Sequence, residues 1–217
     1  MKIEEMVTYV DHTVLKPTAT WEDIHNLCEE AILYKTASVC IPPCYIDRVS
    51  KEYGSKINIC TVIGFPLGYN TLETKVFETK DAIAKGASEF DMVVNIGDVK
   101  NKDYEKVAKE IAAVKEATGD KSLKVIIEAC YLDEEDKIAM CDAVTKAGAE
   151  YIKTSTGFGT GGATMEDVEL FKKHIGEKVK IKAAGGIRSI EELEAFIKAG
   201  CSRIGTSSAV AFIKEKK

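Results

Sequence analysis

The sequence lacks most of the residues from which metal centres and disulfide-rich folds are built. Its 217 residues include only three histidines, and none of its seven cysteines belongs to a Cys-x-x-Cys pair. An odd number of scattered cysteines is typical of a protein kept in a reducing compartment. A structural zinc site needs four suitably spaced ligands, which these residues do not supply. We therefore predict a cytoplasmic protein that uses no metal and no other cofactor.

Long hydrophobic segments are also missing. No run approaches the roughly 20 apolar residues that a membrane span needs, and residues 1–6 lack the apolar core of a signal peptide. Charged residues make up 30% of the chain and the net charge is −5, without a basic stripe. This composition argues against a nucleic-acid partner. The sequence thus predicts no membrane and no nucleic-acid contact.

Strand and helix patterns alternate along the whole chain. A helix pattern follows each predicted strand, and several of these helices end at a glycine. The last of them is predicted over Ser207–Lys216. The predicted strands are Val7–Val14, Ala37–Ile41, Ile57–Ile63, Glu89–Asn95, Leu123–Ala129, Tyr151–Thr154, Val179–Ala183 and Arg203–Thr206.

Strands that are separated by single helices must pair in parallel. Eight such units in a chain of this length favour an α/β fold with one domain over residues 1–217, a (β/α)8 TIM barrel. A doubly wound open sheet is the alternative. That fold usually has fewer units and often carries Gly-x-Gly-x-x-Gly after its first strand, where this chain has Leu15-Lys-Pro17.

One stretch, Tyr151-Ile-Lys-Thr-Ser-Thr-Gly-Phe-Gly-Thr-Gly-Gly-Ala-Thr164, carries a lysine at the end of a β-prone run. A charged ammonium there loses its hydration, so the lysine either pairs or deprotonates and becomes a nucleophile. Active sites of barrels lie at the carboxyl ends of the strands. We therefore predict that Lys153 forms a Schiff base with a carbonyl substrate. The alternative is a lysine that reaches out to solvent.

A second stretch of the same form, Val179-Lys-Ile-Lys-Ala-Ala-Gly-Gly-Ile-Arg188, places Lys182 on the next strand. Neighbouring strands lie about 4.8 Å apart, so the two lysines are within reach of each other. Lys182 would supply the positive charge that favours a neutral, nucleophilic amine on Lys153. A salt bridge from Lys182 to a buried acid such as Asp11 is the alternative, and both can hold together.

Other polar residues fall near predicted strand ends and are expected to point into the barrel mouth. Asp91 lies in an apolar run and is predicted to be a general acid/base or a structural partner of the lysines. Side-chain alternation places Asn95 on the same face as Asp91, and Thr13 on the same face as Asp11. Alternation sends His12 towards the helices. Cys40 ends the second predicted strand at the mouth of the barrel.

Two glycine-rich turns follow the seventh and eighth predicted strands. They are Gly185-Gly-Ile-Arg188 and Gly205-Thr-Ser-Ser208, and each leads into a helix. Loops at these two places commonly bind phosphate in barrels, where free backbone N–H groups meet the anion. Arg188 would add a charge-assisted hydrogen bond.

Five motifs, in chain order, resemble those of the deoxyribose-phosphate aldolases. They are Asp-His-Thr at 11–13, Glu-Phe-Asp-Met-Val-Val-Asn-Ile-Gly at 89–97, Lys-Thr-Ser-Thr-Gly-Phe at 153–158, Lys-Ala-Ala-Gly-Gly-Ile-Arg at 182–188 and Gly-Thr-Ser-Ser at 205–208. The resemblance implies a metal-free class I aldolase with a (β/α)8 fold. Such an enzyme reversibly cleaves 2-deoxy-D-ribose 5-phosphate to glyceraldehyde 3-phosphate and acetaldehyde in deoxyribonucleotide breakdown. Family members are often homodimers.

The resemblance also implies roles for single residues. Lys153 would be the Schiff-base lysine, Lys182 its charged partner and Asp91 the acid that transfers protons. Substrate binding is implied for Asp11, Thr13, Cys40, Thr156, Gly157 and Gly205. Phosphate binding is implied for Gly185, Gly186, Arg188, Ser207 and Ser208.

The chain departs from the family pattern at two places. Some longer members have a lysine where Phe158 stands, so the phosphate site here is expected to be less positive. Some also end in a tyrosine that reaches into the site, whereas this chain ends Phe-Ile-Lys-Glu-Lys-Lys. Proton transfer would then rest on Asp91 and water, with slower turnover.

Two other functions fit part of the pattern. One is an isomerase or synthase for another sugar phosphate, with Asp11 and Asp91 as acid and base and no covalent intermediate. The other is a barrel that binds a phosphorylated metabolite without catalysis. The lysine pair on the sixth and seventh strands favours the aldolase, because simple proton shuttling does not need both lysines.

Overall fold

The computed structural model describes residues 1–215, with side chains described as far as residue 212. Eight parallel strands close into a barrel in sequence order, each paired with its neighbours along the chain and β8 paired with β1. The strands are β1 Val10–Thr13, β2 Ser38–Ile41, β3 Ile59–Ile63, β4 Glu89–Val93, β5 Ser122–Ile126, β6 Tyr151–Lys153, β7 Lys180–Ala184 and β8 Arg203–Thr206. The predicted (β/α)8 barrel is confirmed, and the open sheet is excluded.

The helices surround the barrel and bury an apolar face against it. They are α1 Ile3–Val7, α2 Trp21–Tyr34, α3 Ile46–Tyr53, α4 Leu72–Lys85, α5 Ile96–Lys100, α6 Tyr104–Thr118, α7 Glu134–Ala147, α8 Met165–His174, α9 Ile190–Lys198 and α10 Ala209–Glu215. Within the described part of the chain, no helix is both long enough and apolar enough to cross a membrane.

Local signals explain where the helices begin and end. Thr20 and Asp23 form a capping box at the start of α2, in which each side chain accepts a hydrogen bond from the other residue's backbone N–H. Gly86 and Gly148 follow α4 and α7 in the left-handed conformation that glycine adopts without steric cost.

Several predicted boundaries differ from the structure; β5, for example, ends at Ile126 rather than at Ala129. Val7 belongs to α1, so the first strand is shorter than the predicted Val7–Val14. The fourth strand ends at Val93 rather than at Asn95, because the Asn95 side chain accepts from Asp98 N and caps the short helix α5. The last helix begins at Ala209, and the predicted end at Lys216 lies outside the described residues.

A buried ion pair fixes the loop that follows β3. Lys75, on α4, is fully buried, and its Nζ donates to Glu110 Oε1 at 2.7 Å, to Gly68 O at 2.6 Å and to Val93 O at 2.8 Å. Glu110 in turn accepts the Asn95 backbone N–H at 3.2 Å. Lys75 thus ties the loop after β3 to the carboxyl end of β4. That loop carries Phe65 towards the mouth of the barrel.

We expect Lys75→Met to destabilise the protein by about 3–5 kcal/mol, because it leaves Glu110 buried without its partner. Urea unfolding at neutral pH would measure the loss as a lower midpoint. Lys80→Met, an exposed position on the same helix, should change the free energy of unfolding by less than about 0.5 kcal/mol. Equal stabilities for the two variants would contradict the structural role of Lys75.

Candidate active site

Asp91 lies at the centre of a group of charged side chains inside the barrel. Its Oδ2 accepts hydrogen bonds from Lys153 Nζ at 2.7 Å and from Lys182 Nζ at 2.6 Å. Its Oδ1 accepts from Lys124 Nζ at 3.1 Å. Asp91, Lys124 and Lys182 are fully buried, and Lys153 is 3% exposed. The two lysines that the sequence predicted to be neighbours therefore share one carboxylate oxygen.

A second carboxylate, that of Asp11, lies beside the first. It accepts hydrogen bonds from Lys182 Nζ, from Arg203 Nη1 at 2.6 Å and from Ser38 Oγ at 2.7 Å. The salt bridge between Lys182 and Asp11, which was the alternative role for this lysine, is thus present. Lys182 contacts Asp91 as well, so the bridge does not separate it from Lys153.

The third carboxylate is that of Glu89, at the start of β4. Lys124 Nζ lies 2.6 Å from Glu89 Oε2, and Arg203 Nη1 lies 3.0 Å from the same oxygen. Sequence reasoning missed Lys124, Glu89 and Arg203. Lys124 had a readable signal, since it stands between Leu123 and Val125 as Lys153 stands beside Ile152.

The charged neighbours, rather than burial, set the protonation states of this cluster. Burial alone would raise the pKa of Asp91, but Lys124, Lys153 and Lys182 hold it well below its ordinary value. Burial alone would lower the pKa of Lys182, but Asp11 and Asp91 raise it above its usual range. Asp91 is therefore ionised and Lys182 is charged, so Asp91 has no proton to donate at neutral pH.

A cavity of about 510 Å³ opens above this cluster at the carboxyl ends of the strands. Lys153 lines it, whereas Asp11, Cys40, Asp91 and Lys182 lie beneath its floor. The expectation that all of these residues point into the mouth is therefore wrong for the last four. The predicted residues that do line it are Thr13, Thr156, Gly157, Gly185, Gly186, Arg188, Gly205, Ser207 and Ser208.

Steric contacts and backbone conformation explain why glycine occupies several positions at the rim of the cavity. Gly185 and Gly186 have φ of +83° and +79°, in the left-handed region that favours glycine. A Cβ on Gly162 would lie 2.2 Å from Gly185 O, so the loops after β6 and β7 pack backbone against backbone. A Cβ on Gly205 would lie 3.3 Å from Lys182 Cε. Gly205 thus leaves room for the buried lysine as well as lining the cavity.

Two buried cysteines lie beside Asp91. Cys40 pairs in register with Cys60, and Cys60 Sγ donates to Asp91 Oδ1 at 3.2 Å. The interaction with the neighbouring Cys60 side chain lowers the pKa of the Cys40 thiol below its ordinary value. Cys40 faces the barrel interior, as predicted, although beneath the cavity rather than at its rim. Its contact with substrate stays a prediction.

Among the side chains that the structure describes, two sets of three bring potential metal ligands within 4.8 Å of one another. Cys60 is shared by both sets, with Cys40 and Asp91 in one and with Asp11 and Glu89 in the other. The three carboxylates already accept hydrogen bonds from lysine or arginine. A divalent cation would meet these positive groups at short range, so neither set suits it. A metal-independent reaction stays our prediction.

Two further expectations have clear outcomes. His12 Nε2 lies 2.8 Å from Glu30 Oε2 on α2, so His12 faces the helices as predicted. Asn95, expected on the same face as Asp91, instead caps α5 through its Oδ1. It is not part of the cavity wall.

Together these features define a class of enzyme, a (β/α)8 barrel built around a buried lysine that alone among the cluster's charged groups reaches the cavity. The chain belongs to the DeoC/LacD family aldolases, whose profile matches residues 5–210. It is accordingly an aldolase, a carbon–carbon lyase. Formation of a lysine Schiff base is general to this family.

Named relatives match the chain over nearly its full length. It is 65% identical to a deoxyribose-phosphate aldolase of Clostridium botulinum, over 99% of this chain and 97% of that protein. It is 60% identical to the deoxyribose-phosphate aldolase of Clostridioides difficile, over 99% and 98%. A solved tetrameric deoxyribose phosphate aldolase from Aeropyrum pernix has a TM-score of 0.90 at 32% identity, covering 99% of this chain and 92% of that one.

Lys124→Met should move acid unfolding to higher pH. The depressed pKa of Asp91 contributes stability above the ordinary carboxyl range, and this is lost as pH falls through the folded-state value. Lys124 helps to depress that pKa, so its removal raises the pKa and the loss begins at higher pH. We also expect about 3 kcal/mol or more of destabilisation at neutral pH.

Urea unfolding across a series of acidic to neutral pH values would measure both effects. Lys109→Met, at an exposed position on α6, is the matched control and should not change the pH at which stability is lost on acidification. If the Lys124 variant loses stability at the same acidic pH as the parent protein, this lysine does not set the charge of Asp91.

Proposed function

We propose that this aldolase reversibly cleaves 2-deoxy-D-ribose 5-phosphate to D-glyceraldehyde 3-phosphate and acetaldehyde through a Schiff base on Lys153. The observation that carries the proposal is the position of Lys153 Nζ, at the cavity floor and 2.7 Å from the ionised Asp91. The substrate rests on the relatives named for it, two of which are at least 60% identical over the whole chain.

The charge balance around Lys153 supports a nucleophilic amine. Three cations and three carboxylates make ion pairs with one another beneath the cavity. They are Lys124, Lys182 and Arg203 on one side and Asp11, Asp91 and Glu89 on the other. The cluster is therefore electrically balanced when Lys153 carries no charge. Adding a fourth cation to this buried space costs free energy, since like charges repel strongly where water is excluded.

Asp91 is placed to receive the proton that the reaction releases from the amine. When Lys153 Nζ attacks the substrate carbonyl carbon, the nitrogen becomes positively charged, and Asp91 Oδ2 is its hydrogen-bond acceptor. Loss of water from the adduct gives the imine. A base then removes the proton of the C3 hydroxyl, and the C3–O bond becomes the aldehyde carbonyl of D-glyceraldehyde 3-phosphate, which leaves. The electrons of the broken C2–C3 bond pass to the protonated imine and give the enamine. The resulting enamine takes up a proton, and hydrolysis releases acetaldehyde and restores Lys153.

Because Asp91 lies beneath the floor, proton exchange between it and the substrate carbons requires water in the cavity. Lys182 donates to the same Asp91 oxygen and stays charged, so it orients that exchange without contacting the substrate. The role of Asp91 in moving protons through water stays a prediction.

The opposite end of the cavity suits a phosphate group. The glycine turn at 185–186 and the serines at 207–208 offer backbone N–H and hydroxyl donors, and Arg188 lines the same wall. Lys16, which sequence reasoning did not select, also lines the cavity and lies 3.1 Å from Asp23. Phe158 is half exposed and packs edge-on against Phe65, with ring centroids 5.3 Å apart. The wall where some members carry a lysine is therefore apolar here.

A homodimer and a cytoplasmic location stay predictions. The aldolase from Aeropyrum pernix is a tetramer, so at least one relative assembles from several chains. Light scattering of the purified protein would distinguish one, two and four chains.

Borohydride reduction with acetaldehyde tests the proposed chemistry. We expect reduction to fix a two-carbon group on Lys153 and to abolish activity, because the imine becomes a stable secondary amine. Lys153→Ala should fold normally, take up no label and lose aldolase activity by several orders of magnitude. Lys16→Ala, which removes another lysine of the same cavity, should still be labelled. An adduct on a different lysine, or none in the parent protein, would reject Lys153 as the nucleophile.

A further inference from the structure

Glu128 is a buried carboxylate at the carboxyl end of β5 that neither the ion cluster nor the proposed reaction uses. It is 2% exposed. Its φ of +50° and ψ of +62° place a residue with a side chain in the left-handed region. Such a backbone is uncommon outside glycine and costs conformational energy. A strained, buried acid one strand away from Lys153 therefore needs an explanation.

The Glu128 side chain binds the loop that follows Lys153. Its Oε1 accepts the Thr156 backbone N–H at 3.1 Å, and its Oε2 accepts the Thr156 hydroxyl. The backbone on either side of Glu128 is tied to β6 and its loop, since Ile127 N donates to Lys153 O at 3.1 Å and Ala129 N donates to Thr154 O at 2.9 Å. The left-handed backbone is what lets the carboxylate return to Thr156 from between these two bonds.

These contacts fix how the loop presents its N–H groups to the cavity. The Thr156 hydroxyl, oriented by Glu128, accepts the Phe158 N–H at 2.9 Å. The N–H groups of residues 156 and 158 are thus used inside the loop. Gly157 lies between them with φ of +87° and lines the cavity. A Cβ on Gly159 would lie 3.0 Å from Glu128 Oε1, so the carboxylate also packs closely beneath the next turn.

We propose that Glu128 is a positioning residue that orders loop 154–158, so that the Gly157 N–H faces the phosphate end of the substrate while Lys153 is held independently by the ion cluster. This rests on the proposed function, since it concerns the same cavity. The two ends of the cavity wall are then built by separate groups: Asp91 and Lys182 beneath the reacting lysine, and Glu128 behind the phosphate-facing loop.

The informative variant is Glu128→Gly. Glycine adopts the left-handed backbone without steric cost, so this change removes the carboxylate and relieves the strain together, and the variant is expected to fold. An alanine would keep the strain and confuse the result. Glu128→Gln is the conservative partner, because its amide oxygen can still accept the Thr156 N–H but its amide nitrogen cannot accept the Thr156 hydroxyl proton.

Kinetics with 2-deoxyribose 5-phosphate and with unphosphorylated 2-deoxyribose separate the two parts of the site. For Glu128→Gly we expect KM for the phosphorylated sugar to rise about tenfold or more, the scale of losing hydrogen bonds to a charged group. KM for 2-deoxyribose and the labelling of Lys153 by borohydride with acetaldehyde should stay within about twofold, because the lysine keeps its partners. Glu128→Gln should lie between the parent and Glu128→Gly.

Thr156→Val provides a check from the other side of the contact. It should raise KM for the phosphorylated sugar but not for 2-deoxyribose. In the double variant with Glu128→Gly, this KM should be little higher than in the more affected single variant, as expected for groups that act together. Arg188→Ala is the positive control for a selective loss of phosphate binding. Glu150→Gly removes a carboxylate that accepts a backbone N–H, that of Leu123, at the opposite end of the barrel, and should not change the ratio of the two KM values.

Equal rises in KM for both sugars, a change in stability alone, or a fall in KM for the phosphorylated sugar would overturn the proposal. A fall would mean that the Glu128 charge chiefly repels phosphate. These outcomes are distinct from failure of the proposed function, which would appear in the parent protein as no labelling of Lys153 or no cleavage of 2-deoxyribose 5-phosphate.

Discussion

The hydrogen bonds between Asp91 and the Nζ atoms of three lysines are the constraint on which the rest of the site depends. They join β4, which carries Asp91, to β5, β6 and β7, which carry Lys124, Lys153 and Lys182. Each of these charges is costly to bury alone, and each becomes tolerable only because the others are present. The closed barrel brings these charges together, because side chains from all of its strands point towards the barrel axis.

In the same arrangement, the residues that balance the buried charges are different from the lysine that lines the cavity. Arg203 and Glu89 complete the pairing at the lower level of the barrel, so the cluster does not need Lys153 as a counter-ion. Lys153 is therefore free to line the cavity without leaving a buried charge unbalanced. Gly205 contributes to this arrangement from β8 by leaving space for the Lys182 side chain. One set of contacts thus both balances the buried charges and places a lysine at the cavity floor.

Much of this was readable from the sequence, and the failures have physical causes. Lys153 and Lys182 were found because each stands in an apolar, β-prone run shortly before glycines, although only Lys153 ends its strand and reaches the cavity. Lys124 has the same apolar neighbours, but it lies in the middle of β5, one layer of side chains deeper in the barrel. A rule that selects residues at strand ends therefore does not select it. Glu128 was assigned to the predicted strand Leu123–Ala129, because a glutamate gives no sequence signal for a left-handed backbone conformation. Depth along the barrel axis depends on register and closure, which side-chain alternation alone does not give.

Neutron diffraction from deuterated crystals at mildly alkaline pH would locate the protons of the cluster and so show whether its charges balance without Lys153. We expect no deuteron on either oxygen of Asp91 and three on each Nζ of Lys124 and Lys182. A deuteron on Asp91, or a neutral Lys124 or Lys182, would contradict this charge assignment, because the cluster would then not be balanced by these groups alone.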